Sequence, residues 1–561
     1  MIKDNGGFYM DQVRIFALGG LDENGKNMYI VEVNESIFII EAGLKYPDTG
    51  QLGVEFIIPD FSYLIENKDR IKGIFITHAH DDVIAALPYL LKQVNIPVYT
   101  GALTASILHE TLKKEGIKNV KIHRLKRTSR QTIGGVKVRT FPMTHAFPDT
   151  FGVAIGTDQG YIVYTGEFII DYDMLQEQYR CDLNELSDIG KKGVLCLLNE
   201  SQGIEVSGHT APRHRVTNYI EPMFEQSENR ILISCYAQSL FRIIEIIDLA
   251  KKYNKKIFFH DKSVRNLLKH LESMKYYRVP KELIVTDKEF HNDLEDIVIL
   301  ISGNGKNLFT TMTNIANHED RYVKFKTTDT IIVASPVVSG TELEANNMEN
   351  EIYKEGGKIY SLSSKTVLSM HPSMEDLKMM LYLFQPKYYI PVKGEYRHLY
   401  MNAKLANQMG YSPDRIILLE NGQIAAFENG ILKSASDYLD LEDTLIDGKE
   451  IWDLKGVVLK DREVLSTDGV MIIGVGVHAR SKKVINGPDI QTRGLIYLKD
   501  ADHIIKEVGN IMEECIEKAV KEKRYDNLEV RGEAKEKIAK YLVKETGKRP
   551  MVLPVILEIN I

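Results

Sequence analysis

Short apolar or alternating runs, separated by glycine and asparagine turns, open the chain. Residues 13–18, 27–33 and 36–41 have the pattern of half-buried and buried strands, so they predict adjacent strands. Further apolar runs predict additional strands at 73–76, 96–99, 136–141, 161–164 and 194–198. After 73–76, two acidic residues precede apolar residues at helical spacing, which predicts a helix start. The first part of the chain therefore predicts an α/β fold.

A second alternation of strand and helix patterns begins at residue 230. The strands are predicted at 230–236, 256–260, 296–302 and 330–335, and the helices at 239–253, 263–277 and 342–355. Strands that alternate with helices in this way are typical of a parallel sheet covered by helices. We interpret this stretch as an inserted α/β unit.

The 561 residues suffice for roughly three or four domains of ~150 residues each. With 44% hydrophobic and 27% charged residues, the composition is that of an ordinary soluble protein. A net charge of −7 gives no overall attraction to nucleic acid, so a nucleic-acid path would have to be a local basic groove. The best local candidate is 113–130, which holds eight lysines and arginines; a solvated surface is the alternative reading.

The cysteines Cys181, Cys196, Cys235 and Cys515 are scattered without paired spacing. This pattern favours a reducing, cytoplasmic location and argues against a structural zinc site. The first residues lack a basic segment followed by an apolar core, and no apolar run approaches ~18 residues. We therefore expect neither export nor a membrane-spanning segment.

The stretch 77–87, THAHDDVIAAL, places two histidines and a carboxylate at the end of a predicted strand. His78 and His80 leave that strand in a turn that can direct both imidazoles to one point, with Asp82 two residues further on. Imidazole nitrogen and carboxylate oxygen are ligands that zinc takes. The alternative reading of this pattern, taken alone, is two partly exposed turn histidines.

This order resembles the His-x-His-x-Asp-His signature of the metallo-beta-lactamase superfamily, in which two histidines hold one metal and the Asp-His pair holds a second. Val83 stands at the final histidine position and offers a metal no ligand atom. The resemblance implies that His145, in the turn THAFPD, is the third histidine of the first site. It also implies that Glu167, in TGE, stands for a bridging aspartate. The glutamate side chain is one methylene longer, so its carboxylate could still bind one ion but would be misplaced for bridging two.

The segment 369–398, SMHPSMEDLKMMLYLFQPKYYIPVKGEYRH, is similar to the closing segment of ribonuclease J, a beta-CASP member of that superfamily. The likeness continues in colinear order through LGGLDENGKNMYIVEV, EAGLKYPDTGQLGVEFIIPD, VSGTELEANNMENEIYKEGG and KRPMVLPVILEI, over essentially the whole chain. It implies an α/β fold: a metallo-beta-lactamase αββα sandwich with an inserted beta-CASP α/β domain and a small α/β C-terminal domain. The expected bounds are 1–205 and 366–430 for the lactamase-like domain, 206–365 for the beta-CASP domain, 431–450 for a linker and 451–561 for the C-terminal domain.

Ribonuclease J enzymes resemble two-metal hydrolases, whose ions activate water and stabilise the leaving oxygen of a phosphodiester. The resemblance maps the first site to His78, His80, His145 and Glu167, and the second to Asp82, Val83, Glu167 and Lys393. Lys393 replaces the motif histidine in PVKGEYRH, and a protonated lysine donates hydrogen bonds but cannot ligate. We expect its ammonium to pair with Asp82 and Glu167 where the second metal would lie; the alternative is that Lys393 turns out to solvent.

The family's phosphate-binding loop, HxSGHAS, is altered to VLSMHPS in this chain. Three positions no longer hold the family residue: Val367, Met370 and Pro372. The resemblance leaves Ser369, His371 and Ser373 as candidate phosphate contacts. A loop of the insert, TGSQGEP in the family, is likewise changed to SGNGKNL at 302–308.

The losses fall on catalytic positions, whereas the apolar strands and the C-terminal domain keep their character. The expected remnants of the catalytic set are Asp82, Glu200 and His371, with a capped turn as the plain alternative for Glu200. This pattern resembles the less active second paralogue of the ribonuclease J family.

We therefore expect a catalytically impaired subunit of RNA processing and decay, including ribosomal RNA maturation and messenger RNA turnover. It would support an active ribonuclease J partner as a homodimer or hetero-oligomer. The alternative is a weak 5′–3′ exoribonuclease or endoribonuclease with a single metal site. A small-molecule lactamase-type hydrolase is a third reading, which the insert and the C-terminal domain disfavour. We expect zinc or manganese at one site at most, and the sequence leaves open that no metal binds.

Overall fold

The computed structural model describes residues 11–47, 53–174, 176–338, 340–447, 450–451, 457–495 and 502–560. Parts of all four expected segments lie outside the described residues: 1–10, 48–52 and 175 of the lactamase-like domain, 339 of the beta-CASP domain, 448–449 of the linker, and 452–456, 496–501 and 561 of the C-terminal domain. The chain divides into two compact units, Met1–Tyr46 with Phe56–Thr444 and Pro47–Glu55 with Leu445–Ile561.

The larger unit is built from strands and helices that alternate along most of its length. Its strands are β1 (Gln12–Gly19), β2 (Met28–Val33), β3 (Ser36–Ile40), β4 (Phe56–Ile58), β5 (Ile71–Ile76), β6 (Val98–Thr100), β7 (Ile122–Arg124), β8 (Arg130–Ile133), β9 (Val136–Pro142), β10 (Phe151–Thr157), β11 (Gly160–Tyr164), β12 (Val194–Glu200), β13 (Ile231–Tyr236), β14 (Lys256–Phe259), β15 (Ile284–Val285), β16 (Ile297–Gly303), β17 (Thr330–Val333), β18 (Lys358–Ser361), β19 (Tyr388–Val392), β20 (Gln423–Glu428) and β21 (Ile431–Tyr438). Its helices are α1 (Ser62–Glu66), α2 (Asp81–Ile84), α3 (Leu87–Gln93), α4 (Ala102–Lys114), α5 (Leu183–Lys191), α6 (Thr217–Gln226), α7 (Leu240–Lys252), α8 (Lys262–Ser273), α9 (Lys306–Ala316), α10 (Glu342–Lys354), α11 (Met374–Phe384) and α12 (Tyr396–Gln408).

Two mixed sheets of this unit pack face to face and form the expected sandwich. Their strand orders are β21-β20-β1-β2-β3-β5-β6-β7 and β19-β12-β11-β10-β9-β8. Side chains such as Val31 and Phe38 of the first sheet share one buried cluster with Val153 and Ile162 of the second. Another apolar cluster joins the second sheet to α5 and α11. Strands covered on both faces read as continuous apolar runs, which explains why β2 and β3 lack strict alternation.

The inserted α/β unit expected from the second alternation of patterns is confirmed. Its sheet has the order β15-β14-β16-β13-β17-β18, and every neighbouring pair is parallel. Parallel neighbours need crossover connections, and the helices supply them. One apolar cluster packs α6, α7 and α8 on one side of this sheet, and another packs α9 and α10 on the other side.

The smaller unit contains a three-stranded sheet covered on one face by two long helices. Its elements are β22 (Thr444–Asp447), β23 (Glu450–Ile451), α13 (Val457–Thr467), β24 (Val470–His478), β25 (Val484–Arg493), α14 (Asp502–Lys521), α15 (Asn527–Thr546) and β26 (Met551–Ile559). The strand order β25-β24-β26 places β24 in the centre. Alternate residues of β24 and β26, such as Ile473 and Ile556, pack with α14 and α15. No helix in the described part of the chain is long and apolar enough to cross a membrane.

The expected linker, 431–450, differs from the structure. Ile431–Tyr438 forms β21, which pairs antiparallel with β20 at the edge of the eight-stranded sheet. Most of its side chains are exposed or half-buried. An edge strand exposed to solvent has the polar composition of a connecting segment, and this similarity is the reason that the sequence did not separate the two.

Candidate metal centre

The residues expected to bind metal leave the carboxyl ends of buried strands. His78 and His80 follow β5, His145 follows β9, and Glu167 follows β11. The first two lie in the turn that leads into α2, which begins at Asp81. The two sheets pack against each other, so these strand ends meet, and residues far apart in sequence converge.

The four side chains present ligand atoms that all lie within 4.8 Å of one another. His80 Nδ1 is 3.0 Å from His78 Nε2 and 3.3 Å from His145 Nε2. Glu167 Oε2 is 3.0 Å from His145 Nε2 and 3.5 Å from His80 Nδ1. Four ligand atoms at ~2.05 Å from one ion in a tetrahedron are about 3.3 Å apart. The cluster thus has the spacing of a four-ligand site for a small divalent ion.

Hydrogen bonds on the far side of two rings direct their lone pairs into this cluster. His80 Nε2 donates to the backbone carbonyl of Gln238 at 3.1 Å, and His145 Nδ1 donates to that of Met370 at 2.8 Å. A carbonyl oxygen only accepts, so the nitrogen bonded to it carries the proton and the opposite nitrogen is free. Partners of this kind fix the tautomer and orientation of histidine ligands in metal sites.

Thr77 and Glu41 orient the third ring. The Thr77 hydroxyl donates to Glu41 Oε1 at 2.6 Å, so it accepts from His78 Nδ1 at 2.9 Å. Glu41 Oε2 also accepts from the backbone N–H of Thr77 at 3.1 Å. His78 Nε2 is therefore the unprotonated nitrogen, and it faces His80 and His145.

Burial keeps the three imidazoles neutral. Desolvation is the largest cause of a pKa far below the usual value at His78 and His145, and it lowers the pKa of His80 to about 4. Ligand histidines must be deprotonated to bind metal, so protons do not compete for these nitrogens at neutral pH. The donor set of three neutral imidazoles and a carboxylate fits zinc or manganese.

Lys393 follows β19 and occupies the region expected for a second ion. Its Nζ lies 2.8 Å from Asp82 Oδ2 and also contacts Glu167 Oε1. The Lys393 side chain is only 2% exposed, so it does not turn out to solvent. Burial alone would raise the pKa of Asp82, but attraction to Lys393, the hydrogen bond from it and the neighbouring imidazoles together lower the pKa. Val83, which follows Asp82 in the chain, is buried, and its side chain has no ligand atom.

A carboxylate–imidazole pair borders the same centre. His371 Nδ1 lies 2.5 Å from Glu200 Oε1 and 3.9 Å from Glu167 Oε2. Burial opposes a charge on His371, but the charge and hydrogen bond of Glu200, together with the charge of Asp82, raise the pKa of His371. Burial likewise raises the pKa of Glu200, whose Oε2 accepts from the backbone N–H of Phe168 at 3.2 Å. With Nδ1 held by Glu200, Nε2 is the atom of His371 that can exchange a proton with a ligand.

The altered phosphate loop does not present all three of its expected contacts. Ser369 is exposed and His371 is half-buried, but Ser373 is buried. Ser373 caps α11 in a capping box with Asp376, and its hydroxyl also lies 2.7 Å from Thr210 Oγ1. The Ser373 hydroxyl is therefore committed to the helix start, and this physical reason removes it from the candidate phosphate contacts.

Several residues that shape the centre were missed in the sequence. Glu41 ends a predicted strand, and an acid at the end of an apolar run was the available signal for it. Gln238 and Met370 contribute backbone carbonyls, which no pattern of side chains reveals.

Three family models match the chain: the Beta-lactamase superfamily domain over residues 53–186, the Ribonuclease J beta-CASP domain over 228–352 and the Ribonuclease J C-terminal domain over 457–559. Proteins named Ribonuclease J 2 from Staphylococcus aureus (strain NCTC 8325 / PS 47) and Staphylococcus saprophyticus are each 34% identical over 549 residues, covering 98% of this chain and 98% of theirs.

A solved structure adds a likeness of fold alone. A crystal structure of a protein of unknown function from Enterococcus faecalis V583 aligns with a TM-score of 0.50 and 14% identity, covering 74% of this chain and 100% of that one. The sequence match over nearly the full length, together with the sandwich, the parallel insert and the C-terminal unit, assigns the family. The chain belongs to the ribonuclease J family of RNA-binding ribonucleases, with a metallo-beta-lactamase domain, a beta-CASP insertion and a ribonuclease J C-terminal domain.

Proposed function

We propose that this chain is a catalytically impaired member of the family, which binds RNA and supports an active ribonuclease J partner. It holds zinc or manganese at one site at most, formed by His78, His80, His145 and Glu167. The processes in which it would act, ribosomal RNA maturation and messenger RNA turnover, are those that the family resemblance implies. The observation that carries the proposal of impairment is the buried Lys393 ammonium between Asp82 and Glu167.

The Lys393 ammonium opposes a second dication electrostatically. Two unit charges ~4 Å apart interact by about 4 kcal/mol at an effective dielectric of ~20, and a dication doubles that value. Val83 adds to the effect because it withholds a ligand. A two-metal hydrolase uses its two ions to stabilise the attacking and the leaving oxygen, so one of these contributions is lost.

Removal of one first-site ligand tests metal binding at the remaining site. We expect the purified wild-type chain to retain at most one equivalent of zinc or manganese after dialysis, and His145→Ala to retain none. Loss of an outer-shell partner alone typically costs 10–100-fold in metal affinity, and loss of a ligand should exceed that range. Metal analysis by mass spectrometry gives the result. His209→Ala is the matched control, because His209 pairs with Asp376 outside the cluster. Metal retained by His145→Ala at the level of a metal-containing wild type would contradict the assignment.

RNA cleavage by the full chain tests the impairment. The substrate is 5′-monophosphorylated RNA with manganese or zinc, and His80→Ala, purified in parallel, measures the background from host nucleases. We expect the two proteins to degrade RNA at the same low rate. A wild-type rate at least tenfold above that of His80→Ala would overturn the proposal of impairment.

A weak exoribonuclease or endoribonuclease with one metal is the second candidate function. It is favoured by the three oriented imidazoles and by the Glu200–His371 pair. A bound divalent ion would polarise water and the phosphodiester. In that reaction Glu200 holds His371, whose Nε2 gives a proton to the leaving oxygen. The cleavage assay distinguishes this candidate, since its rate requires His80.

An apolar surface on the C-terminal sheet supports the subunit role. Its exposed side chains, between 37% and 60% accessible, are Ile472, Leu553, Val555 and Leu557. They lie side by side on β24 and β26, because Ile472 pairs with Leu553 in a parallel ladder. The intervening residues of both strands are covered by α14 and α15, so the exposed set forms the other face. A contiguous apolar face on a sheet with an open edge marks a protein interface.

Lysines introduced on this apolar face are expected to dissociate the proposed oligomer. Val555→Lys with Leu557→Lys removes two apolar contacts of about 1.5–3 kcal/mol each, so the dimer dissociation constant should rise more than 100-fold. Analytical ultracentrifugation of the full chain, alone and mixed with an active ribonuclease J, gives the measurement. Leu528→Lys is the control, since Leu528 is 74% exposed on α15. An unchanged molar mass for the double variant would contradict this interface.

A further inference from the structure

We propose that a basic groove beyond the carboxyl end of α4 binds single-stranded RNA away from the metal centre. The basic groove is the concave surface lined by His109, Lys113, Ile117, Lys118 and Asn119. Its volume is about 420 Å³. That value lies within the range of small-molecule sites, roughly 300–1,000 Å³. The proposal rests on the RNA-binding part of the proposed function and not on the catalytic impairment.

Unpaired cations line this groove and continue along the chain beyond it. Within the basic stretch 113–130, Lys114 pairs with Glu110 at 2.7 Å, Arg127 donates to backbone carbonyls, and Arg130 pairs with Glu185. The other five basic side chains are exposed and have no acidic partner in the part of the chain that the structure describes: Lys113, Lys118, Lys121, Arg124 and Lys126. A surface of this kind attracts phosphate even though the whole chain has a net charge of −7.

The acids nearest to the basic groove are already engaged. Glu110 accepts from Lys114 and lies 3.0 Å from His270 Nε2. Glu115 pairs with Lys92 at 2.9 Å. These contacts leave the lysines of the groove free for an external anion.

The groove combines the two chemistries that a nucleotide needs. Leu112 and Ile117 line an apolar floor that suits the face of a base. Lys113 and Lys118 line the same groove and suit the phosphate, since lysine binds phosphate as a point charge. Contacts of both kinds together give salt-dependent, sequence-tolerant binding of a single strand.

Two further lining residues favour RNA over an acidic protein segment. His109 presents an exposed imidazole, a ring on which bases stack, and Asn119 presents an amide that can bond base edges. An acidic segment would use the lysines but would have no matching use for the ring or the amide. RNA is therefore the occupant that accounts for the whole lining.

The basic groove lies at the far end of the sheet from the metal centre. β5 and β6 are parallel, so α4, which follows β6, begins at the same end of the sheet as His78, which follows β5. The 13 residues of α4, at 1.5 Å each, carry the chain about 20 Å back along the sheet. RNA held here does not require the metal ligands, so a metal-depleted subunit retains it.

Charge reversal in the full-length chain tests the proposal. The variant is Lys113→Glu with Lys118→Glu and Lys121→Glu, and the probe is a fluorescein-labelled single-stranded oligouridylate read by anisotropy. Its matched control is Lys535→Glu with Lys540→Glu and Lys544→Glu, which makes the same charge change on exposed residues of α15. We expect the groove variant to bind at least tenfold more weakly than wild type and the control less than threefold more weakly. The slope of log K against log salt should flatten by about 2, since each single-strand phosphate contact contributes about 0.7.

A neutral variant separates the shape of the groove from its charge. Ile117→Trp fills the floor without altering any charge, so we expect weaker binding with an unchanged salt slope. Groove variants that bind RNA as the α15 control does would overturn the proposal. So would loss of association with an active ribonuclease J while RNA binding stays intact, because the groove would then be a protein interface. Metal content and the thermal midpoint, expected unchanged, separate these outcomes from misfolding and from failure of the metal assignment.

Discussion

Val83→His combined with Lys393→His is expected to raise the metal content of the protein by one equivalent. The change removes the ammonium from Asp82 and Glu167 and supplies two imidazoles in its place. Asp82 Oδ2 already accepts from Asn27 Nδ2 at 3.1 Å, so its carboxylate stays oriented. Zinc takes imidazole nitrogen and carboxylate oxygen, and all needed donors are then present. Mass spectrometry of the dialysed protein, loaded with zinc or manganese, counts the ions.

The single variants are the matched controls for this experiment. Val83→His alone keeps the Lys393 ammonium, which opposes a dication by roughly 8 kcal/mol at ~4 Å and an effective dielectric of ~20. Lys393→His alone removes the opposing charge but leaves one ligand missing. We expect neither single variant to gain a full equivalent. Unchanged metal content in the double variant would contradict the interpretation that the Lys393 ammonium replaces the second metal ion.

Asp329→Ala is expected to destabilise the beta-CASP domain by about 3–5 kcal/mol, because it leaves a buried charge without its partner. Arg230 is 2% exposed and Asp329 is fully buried. The pair is bidentate, with Arg230 Nε and Nη2 at 2.7 and 2.6 Å from the two carboxylate oxygens. Arg230 Nη2 also donates to the carbonyl of Lys324, which ties the start of β13 to a neighbouring loop. Chemical denaturation followed by circular dichroism measures the loss.

An exposed pair in the same domain provides the comparison. Asp293 is 92% exposed and lies 3.7 Å from Lys326. Exposed ion pairs contribute about 0–1 kcal/mol, so Asp293→Ala should shift the transition little. Replacing both members of the buried pair, Arg230→Met with Asp329→Leu, should recover much of the stability. Equal effects of Asp329→Ala and Asp293→Ala would contradict the importance assigned to the buried charge.

The elements that carry a strong apolar pattern could be predicted from sequence. The strands around 13–18, 136–141 and 161–164 match β1, β9 and β11 closely, because apolar, buried residues recur along each of them. β21 could not be distinguished from a linker, since its exposed edge needs few apolar residues. Local patterns report burial, and they lose their information where a strand is exposed.

The metal-binding side chains of the candidate site could be predicted from sequence, but the hydrogen-bond partners that hold the site in place could not. His78 and His145 could be grouped because both follow strands and match a family signature. The ion pair of Lys393 with Asp82 was expected from the family resemblance together with charge, and it is present in the structure. Ser373 could not be assigned to a helix cap without the position of Asp376, and carbonyl acceptors depend on tertiary contacts.

The hydrogen bond from His80 to the Gln238 carbonyl joins residues 158 positions apart. His80 lies in the stretch 77–87, and Gln238 lies in the loop after β13. A fragment from which the insert has been excised lacks that acceptor, so its His80 ring would exchange tautomers and turn freely. The preformed geometry of the ligands is therefore a property of the intact polypeptide, and transplanting the short histidine motif into another scaffold would not carry it along.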